Sequence, residues 1–346
     1  MSQPLTVGFL PWWPANPYQI LLKQELNKLG VRVIGNPPLS LLRLLIGRDG
    51  LDVVHVHWPH GTYKTTLQFV HVLTVLVAYR LLKNNVVWTV HELDAYESRH
   101  PKRDGWFRSV VMKLSRRLIV HGEHTRQVLI RDYDYRRPID VARHPSYIGF
   151  YKDEVTREEA RAKLGLPDVA RVYLYFGYIK PYKGVEELIQ AFSQVRDVGA
   201  ILLIAGKPLD KSIKQKVEAL AANDTRVRTF LEYIADDDIQ NYFRAADVVI
   251  FPFRNTQTSG SLMLAMSYGR PIIAPRIATL PEYVDNSSGI LFDPDLPGDL
   301  TRAIHDASRA PLEQLARNAR LQAESLRWSD MASVHLSAYQ EIQEVA

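Results

Sequence analysis

Cysteine is absent from this chain of 346 residues. Its absence excludes disulfide bridges and thiolate metal sites, and it fits a reducing cytoplasm. Residues 1–10 lack the basic segment and apolar run of a signal peptide. The longest apolar stretch, residues 67–82, is interrupted by polar residues and by Arg80, and it is shorter than the roughly 20 residues that a spanning helix needs. The sequence therefore predicts a cytoplasmic protein.

Two common nucleotide-binding motifs are missing as well. The chain contains no P-loop, and no G-x-G-x-x-G follows its first apolar run. ATP hydrolysis and nicotinamide binding therefore lose their usual support from the sequence.

Hydrophobic residues make up 46% of the chain, which at this length is enough for two separate cores. Charge is unevenly divided along the chain. Residues 1–148 contain 20 Lys and Arg against 11 Asp and Glu, whereas residues 149–346 contain 23 against 27. We expect the basic first half to face a diphosphate-linked acceptor or an acidic membrane surface, with a solubilising surface as the alternative. We expect no nucleic-acid partner.

Short apolar runs alternate with segments of helical period in both halves of the chain. This rhythm is typical of parallel sheets covered by helices. A polar and aromatic passage over residues 131–153 interrupts it and predicts a linker. The sequence thus predicts an α/β fold of two Rossmann-like domains that face a cleft, residues 1–148 for the acceptor and 149–325 for a sugar nucleotide. Residues 326–346 are expected to form a helix that crosses back to the first domain.

The segment from Phe176 to Gly184 leaves a predicted strand and enters a predicted helix. Gly177 lets the backbone approach a ligand closely, and the helix start offers N–H groups. Lys180 and Lys183 add positive charge for a diphosphate. A simple turn with solvated lysines is the alternative interpretation.

A second junction of the same kind lies between the strand 248–251 and the helix that follows. It contributes hydroxyl and backbone donors that suit the β-phosphate of a nucleotide sugar. An N-cap serine is the alternative, because it satisfies a helix start without any ligand. The residues concerned are Thr258, Ser259, Gly260, Ser261 and Leu262. Two such junctions in one domain favour a nucleotide diphosphate as the ligand.

These junctions resemble those of the GT-B glycosyltransferases of family 4, and more narrowly those of xanthan-type mannosyltransferases that use GDP-mannose. The resemblance spans nearly the whole chain. In the second half it rests on the loop Phe176–Gly184, the helix region Ser259–Pro271 and the pair Pro281-Glu282. In the first half it rests on Asn16-Pro17-Tyr18, His55–Pro59 and Thr89-Val90-His91.

The chain also departs from the family pattern. Thr256 and Leu264 stand where retaining enzymes of family 4 usually carry two glutamates, and Tyr178 stands where an arginine is usual. Lys180 is expected to supply the charge of that arginine. The departures favour an inverting mechanism over a retaining one.

An inverting transfer requires a base that removes the proton of the acceptor hydroxyl. The segment after the strand 86–90 provides candidates at the carboxyl end of a predicted sheet. We expect Glu97 or Asp94 to be this base and His91 to contact the donor sugar or a phosphate. Tyr233 and Ile234 are expected to pack near the nucleotide base.

The acceptor side is expected to involve Asn16, Tyr18, His57 and Trp58, by resemblance. His55, His57 and His60 lie close in sequence, and His55 and His57 fall on one face of a predicted strand. No third metal ligand stands at a reliable spacing from these two, so we expect no metal site. No cofactor is expected beyond the nucleotide sugar itself.

Residues 106–117 read as a basic amphipathic helix with Trp106, Phe107 and Val111 on its apolar side. Such a helix can lie on anionic lipid, which suits an acceptor linked to polyprenyl diphosphate. The alternative is an ordinary helix whose apolar face belongs to the core.

The resemblance implies a metal-independent hexosyltransferase. Its best-matching donor is GDP-mannose, and its acceptor is a hydroxyl of a glycan, free or lipid-linked, in exopolysaccharide or cell-surface glycan synthesis. Two alternatives remain: a non-catalytic subunit that binds a glycan or nucleotide, and a GT-B-like epimerase of sugar nucleotides.

Overall fold

The structure is a computed structural model that describes residues 4–37, 39–47, 49–83, 85–93 and 100–344. The chain divides into two compact units. Unit 1 comprises residues 1–144 and 327–346, and unit 2 comprises residues 145–326.

Strands and helices alternate along the described residues. In chain order the strands are β1 (Thr6–Leu10), β2 (Arg32–Gly35), β3 (Val53–Val56), β4 (Val86–Thr89), β5 (Arg117–Val120), β6 (Ile139–Val141), β7 (Arg171–Phe176), β8 (Ala200–Ala205), β9 (Val227–Phe230), β10 (Val248–Ile250), β11 (Ile272–Pro275) and β12 (Gly289–Phe292). The α-helices are α1 (Pro17–Lys28), α2 (Leu41–Leu45), α3 (Thr66–Leu82), α4 (Pro101–Leu114), α5 (Glu123–Arg131), α6 (Arg157–Lys163), α7 (Val185–Ser193), α8 (Lys211–Ala221), α9 (Ile239–Ala245), α10 (Gly260–Ser267), α11 (Asp299–Arg309), α12 (Leu312–Ser325) and α13 (Trp328–Glu344).

Unit 1 is built on a parallel sheet with the strand order β2-β1-β3-β4-β5-β6. Successive residues of a strand point to opposite faces, so each strand contributes to two cores. Val54 of β3 packs in the core that includes α3 and α4, and Val53 packs in the core that includes α1 and α13. The all-apolar strands predicted from the sequence follow from this burial on both faces.

Unit 2 repeats the architecture with the strand order β12-β11-β10-β7-β8-β9. All the pairs in this sheet are parallel. The predicted fold class, two Rossmann-like parallel α/β layers, is therefore confirmed. No helix in the described ranges is both long and apolar enough to span a bilayer.

Three local predictions were wrong. Residues 131–153 are not a continuous linker, because β6 pairs with β5 over Ile139–Val141. The helix predicted over residues 106–117 begins instead at Pro101, which suits a first helical position, and ends at Leu114. The apolar residues of that helix, Phe107 and Val111, are fully buried in the core of unit 1. Phe107 and Val111 therefore belong to the core and do not lie on lipid, whereas Trp106, the third apolar residue of that side, is 53% exposed.

Candidate functional site

The first predicted phosphate junction leaves β7 and reaches α7 in unit 2. Gly177 has φ of +132° and Gly184 has φ of +69°, a region that side chains rarely adopt. A Cβ built on Gly184 would lie 1.9 Å from the main-chain oxygen of Pro252, so only glycine fits there. The loop is thereby held against the segment that follows β10.

The second junction begins α10. Ser259 is its N-cap, and the Ser259 hydroxyl accepts a hydrogen bond of 3.3 Å from the backbone N–H of Leu262. The N-cap role considered from the sequence is thus present. The first turn of a helix has further N–H groups without partners inside the helix, and here they belong to the half-buried Gly260 and Ser261.

The two junctions adjoin in space. A Cβ built on Gly177 would lie 2.9 Å from the hydroxyl oxygen of Ser261. Both loops leave the carboxyl ends of β7 and β10, which are neighbouring parallel strands. Ligands of open α/β sheets bind at such ends. The two junctions that the sequence predicted therefore meet in unit 2, with Gly177 of the first lying against Ser261 of the second.

The lysines of the first loop are half-buried and lie against aromatic rings. The Lys183 ammonium lies 3.8 Å from the centroid of Phe253, a buried ring beyond β10. The Lys180 ammonium lies 5.3 Å from the ring of Tyr178. A cation on an aromatic face loses side-chain freedom before any anion arrives. Lys183 is thus held between the two loops.

The helix starts differ in charge. The first turn of α7 carries Glu186 and Glu187, which complement the positive end of that helix. The first turn of α10 carries no acidic residue. An anionic ligand is therefore better placed at α10 than at α7, although the sequence suggested both helix starts.

The hydroxyl of Thr258 is buried and has no hydrogen-bond partner among the described residues. The neighbouring Thr256 hydroxyl donates to the Thr258 carbonyl at 2.8 Å, and the Thr279 hydroxyl donates to the carbonyl of Gln257. These bonds fix the loop before α10. Of the two residues expected near a nucleotide base, Tyr233 is exposed and Ile234 is buried; their role stays a prediction.

Unit 1 places histidines at the carboxyl ends of neighbouring strands. His57 directly follows Val56, the last residue of β3, and His91 follows β4 after one intervening residue. β5 is followed directly by His121, and His144 lies three residues beyond β6. These four strands lie side by side in the sheet, so the four imidazoles form a row along its edge.

Hydrogen-bond distances connect the row. Nδ1 of His57 lies 3.2 Å from Nε2 of His91, and Nδ1 of His91 lies 3.4 Å from Nε2 of His121. Nδ1 of His121 lies 2.9 Å from the carbonyl oxygen of Ala142. Nearby, His55 lies 2.6 Å from the Tyr339 hydroxyl and 2.7 Å from the Thr89 hydroxyl.

Five buried imidazoles of unit 1 have lowered pKa values and are uncharged at neutral pH, namely His55, His57, His91, His121 and His335. Burial, with neighbouring imidazoles as the second cause, lowers the pKa of His55, His57 and His91 well below its ordinary value. Burial lowers the pKa of His121 and of His335 to about 4. No group of histidines and carboxylates within the described residues has the geometry of a metal site.

The expected acceptor-side residues surround this row. The Tyr18 ring lies 4.8 Å from His91 and 5.5 Å from His121 between centroids. Trp58 stacks on His91 at 4.1 Å with an interplanar angle of 13°. Asn16 caps α1 by accepting from the backbone N–H of Gln19, at 3.4 Å. The structure thus brings Tyr18, Trp58 and His91 together, and Asn16 starts the helix that carries Tyr18.

The two carboxylates predicted as catalytic base, Asp94 and Glu97, lie outside the described residues. Sequence reasoning missed His121 and His144. The signal of His121 was available, because it directly follows an apolar run, as His91 does, whereas His144 follows β6, which the sequence did not predict. It also missed His335 and Tyr339, which reach the cluster from α13 and follow no local pattern.

Comparison with known proteins locates this chain among sugar transferases. Residues 170–309 match the family described as glycosyl transferases group 1. A "GDP-mannose:glycolipid 4-beta-D-mannosyltransferase" from Xanthomonas campestris pv. campestris is 27% identical over 320 residues, which cover 87% of this chain and 82% of that protein. Among solved structures, a sucrose-phosphate synthase from Thermosynechococcus elongatus has a TM-score of 0.80 at 17% identity, covering 99% of this chain and 100% of its own. Anabaena Alr3699/HepE in complex with UDP has a TM-score of 0.71 at 16% identity, with 98% and 100% covered.

Proposed function

Because this chain is a GT-B glycosyltransferase that carries a group 1 glycosyl transferase domain, we propose that it transfers a mannosyl group from GDP-mannose to a hydroxyl of a glycan. The acceptor is a polyprenyl-diphosphate-linked or other lipid-linked saccharide, in exopolysaccharide or cell-surface glycan synthesis. The observation that carries the proposal is the contact between the loop of Gly177 and the start of α10 at Ser261. The name of the Xanthomonas relative supports the choice of donor and of a glycolipid acceptor.

The donor diphosphate is proposed to bind where these two loops adjoin. Departure of a nucleoside diphosphate leaves negative charge on its β-phosphate, and preorganised donors stabilise that charge. Lys183 and Lys180 supply cations, and the first turn of α10 supplies N–H groups near Ser261. Thr258 offers a buried hydroxyl without a partner in the described chain. With these groups in place, the transfer is proposed to need no divalent metal.

The transfer is proposed to invert the anomeric carbon. The acceptor oxygen forms a bond to that carbon, the bond to the diphosphate oxygen breaks, and a base takes the acceptor proton. Glu97 or Asp94 is proposed as this base, and His91 as a contact of the donor sugar. The Xanthomonas relative is named as a β-mannosyltransferase, and a β-linked product from an α-linked sugar nucleotide requires inversion. Proton NMR of the product's anomeric signal distinguishes the two stereochemical outcomes.

A donor screen tests the nucleotide site. Thermal unfolding of the purified chain is followed with GDP, UDP, ADP and TDP and with their common sugar conjugates, because a ligand of the native state raises the midpoint. GDP and GDP-mannose are expected to stabilise the protein. Lys183→Ala should remove this stabilisation, whereas Lys211→Ala, on an exposed lysine of the same unit, should retain it.

Product analysis separates the proposal from its alternatives. A gain of one hexose mass on a lipid-linked saccharide is the expected product, and it should persist in EDTA. Binding of GDP-mannose without any turnover would instead identify a non-catalytic subunit. Conversion of the sugar nucleotide without an acceptor would identify an epimerase.

A peripheral membrane contact is proposed on α2 and α3 of unit 1. Leu42 and Leu45 of α2 and Ile46 directly after it are more than half exposed, and so are Leu67 and Val70 of α3. The two helices contact each other. Arg43 of α2 and Lys64 just before α3 are exposed as well, and exposed apolar residues beside basic ones suit an anionic bilayer surface.

Sedimentation with phosphatidylglycerol vesicles tests this contact. Leu45→Glu should reduce the bound fraction several-fold, because it places a carboxylate in the apolar patch. Leu321→Glu is the matched control, since Leu321 is similarly exposed (63% against 62%) but lies on α12 of unit 2. Equal loss in both variants, or binding that neither variant changes, would exclude the α2–α3 surface.

A further inference from the structure

The row of imidazoles along the sheet edge has a direction. Its far end is fixed by Ala142, whose carbonyl oxygen lies 2.9 Å from Nδ1 of His121. A carbonyl oxygen only accepts, so His121 must carry its hydrogen on Nδ1. The opposite tautomer would set two lone pairs against each other in a buried place, where an unmade hydrogen bond is costly.

The tautomer of His121 determines the next one. With its hydrogen on Nδ1, a neutral His121 has only a lone pair at Nε2. His91, whose Nδ1 lies 3.4 Å from this atom, must therefore donate from Nδ1 and keep a lone pair at Nε2. By the same step His57 donates from Nδ1 to Nε2 of His91, at 3.2 Å. This series of hydrogen bonds ends at Nε2 of His57, which is buried and has no hydrogen-bond partner within the described residues.

We propose that His121 and His57 are positioning residues that hold His91 as the neutral Nδ1–H tautomer, through a hydrogen-bonded chain that starts at the Ala142 carbonyl. Trp58, stacked on His91 at 4.1 Å, prevents the ring from turning out of the chain. None of these contacts involves a carboxylate or an ammonium group of the described chain. The imidazoles that act on His91 are those of His55 in β3 and of His57, His121 and His144 after β3, β5 and β6, and Tyr18 faces it from α1.

These tautomers determine which hydrogen bonds His91 can make with a ligand. That a sugar nucleotide binds beside His91 rests on the proposed function. A neutral His91 with a lone pair at Nε2 accepts a hydrogen bond and cannot donate one from that atom. A sugar hydroxyl can compete with the N–H of His57 for that lone pair, while the bond to His121 still fixes the tautomer. A phosphate oxygen cannot, because it needs a donor. The hydrogen-bonded series of imidazoles therefore makes the sugar, and not the diphosphate, the hydrogen-bonding partner of His91.

Nitrogen NMR tests the tautomers directly. In the full chain labelled with ¹⁵N-histidine, two-bond correlations distinguish protonated from unprotonated ring nitrogens. His57, His91 and His121 are each expected to show a protonated Nδ1 and an unprotonated Nε2 from pH 6 to 8. His335 serves as an internal reference, because its Nδ1 faces the Met331 carbonyl at 2.8 Å. An Nε2–H tautomer or an imidazolium at His91 or His121 would overturn the proposal whether or not a donor binds.

A matched pair of variants tests the positioning role. In His121→Asn the amide can still donate to the Ala142 carbonyl, but it offers His91 no acceptor. In His335→Asn the amide can likewise donate to the Met331 carbonyl, and this site is equally buried but is not part of the hydrogen-bonded series of imidazoles. His121→Asn is expected to give His91 a mixture of tautomers and to weaken GDP-mannose binding about tenfold, the size of one hydrogen bond, without changing GDP binding. His335→Asn should change neither the tautomer nor the ratio of the two affinities.

The outcomes separate the inference from the proposed function. If the wild-type chain binds no sugar nucleotide, the proposed donor fails while the NMR pattern still tests the chain of tautomers. If His121→Asn leaves His91 unchanged, or weakens GDP and GDP-mannose equally, the positioning role is refuted. If that variant does not fold, the wild-type NMR pattern alone supports or refutes the proposed series of tautomers.

Discussion

Lowering the pH from 7.5 to 5.5 should destabilise unit 1 far more than unit 2. Ten of the eleven histidines belong to unit 1, whereas unit 2 contains only the exposed His305. Five histidines of unit 1 are buried with lowered pKa values: His55, His57, His91, His121 and His335. Because their folded pKa lies below the unfolded one, the unfolded chain binds more protons. The contribution of these neutral imidazoles to stability is therefore present above the unfolded pKa of about 6.5. It is lost as the pH falls from there toward the pKa of the folded state.

The size of the loss follows from the two pKa values. For His121 and His335 the folded pKa is about 4, against about 6.5 unfolded. Each then costs about 1.3 kcal/mol between pH 7.5 and 5.5, and the pair about 2.7 kcal/mol. Burial also lowers the pKa of His55, His57 and His91 well below its ordinary value, so protonation of these three adds to the loss in the same direction. A typical domain has only about 5–15 kcal/mol of stability, so the pair His121 and His335 alone should remove a substantial part of the stability of unit 1 at pH 5.5.

Tryptophan fluorescence in urea measures this loss, because all six tryptophans lie in unit 1. Hydrogen exchange of unit 2 peptides provides the internal comparison and should change little. In His335→Gln the pH-dependent loss should shrink by about 1.3 kcal/mol, whatever the variant's stability at pH 7.5. Equal free energies of unfolding of unit 1 at the two pH values would refute the account of a neutral, buried cluster.

Two further predictions concern unit 2. Gly184→Ala places a Cβ 1.9 Å from a main-chain oxygen and should abolish GDP binding in calorimetry. Gly149→Ala, at a comparable φ of +79° with open space around it, should retain it. Arg161→Met removes a wholly buried guanidinium that pairs with Asp247 at 2.8 Å, and it should lower the stability of unit 2 by about 3–5 kcal/mol in urea unfolding. Arg157→Met, at the half-exposed neighbour that shares Asp247, should cost less than about 1 kcal/mol.

The sequence was sufficient to predict the fold class, because a parallel strand buried on both faces is a continuous apolar run. β6 escaped prediction, since its three residues are only half-buried at the sheet edge and include Asp140. The true start of α4 escaped because residues 101–105 have no apolar period, and their helix depends on contacts with other elements. In both cases tertiary packing stabilises a segment that local pattern does not favour.

Part of the candidate site was also accessible from the sequence. Glycine, lysine and hydroxyl residues after a predicted strand marked both loops of unit 2. Their contact was not accessible, because Gly177 and Ser261 are 84 positions apart and meet only through the order of β7 and β10. The alignment of His57, His91 and His121 likewise depends on strand order and ring orientation, which spacing does not encode. The assignment of a base to Asp94 or Glu97 stays a prediction.

The most direct test of the central claim is mass spectrometry of a reaction containing the purified chain, GDP-mannose and a polyprenyl-diphosphate-linked saccharide. The account predicts an acceptor heavier by one hexose, GDP as the second product, and no hexose addition with Gly184→Ala. An unchanged acceptor, with GDP-mannose intact or converted to another sugar nucleotide, would contradict it.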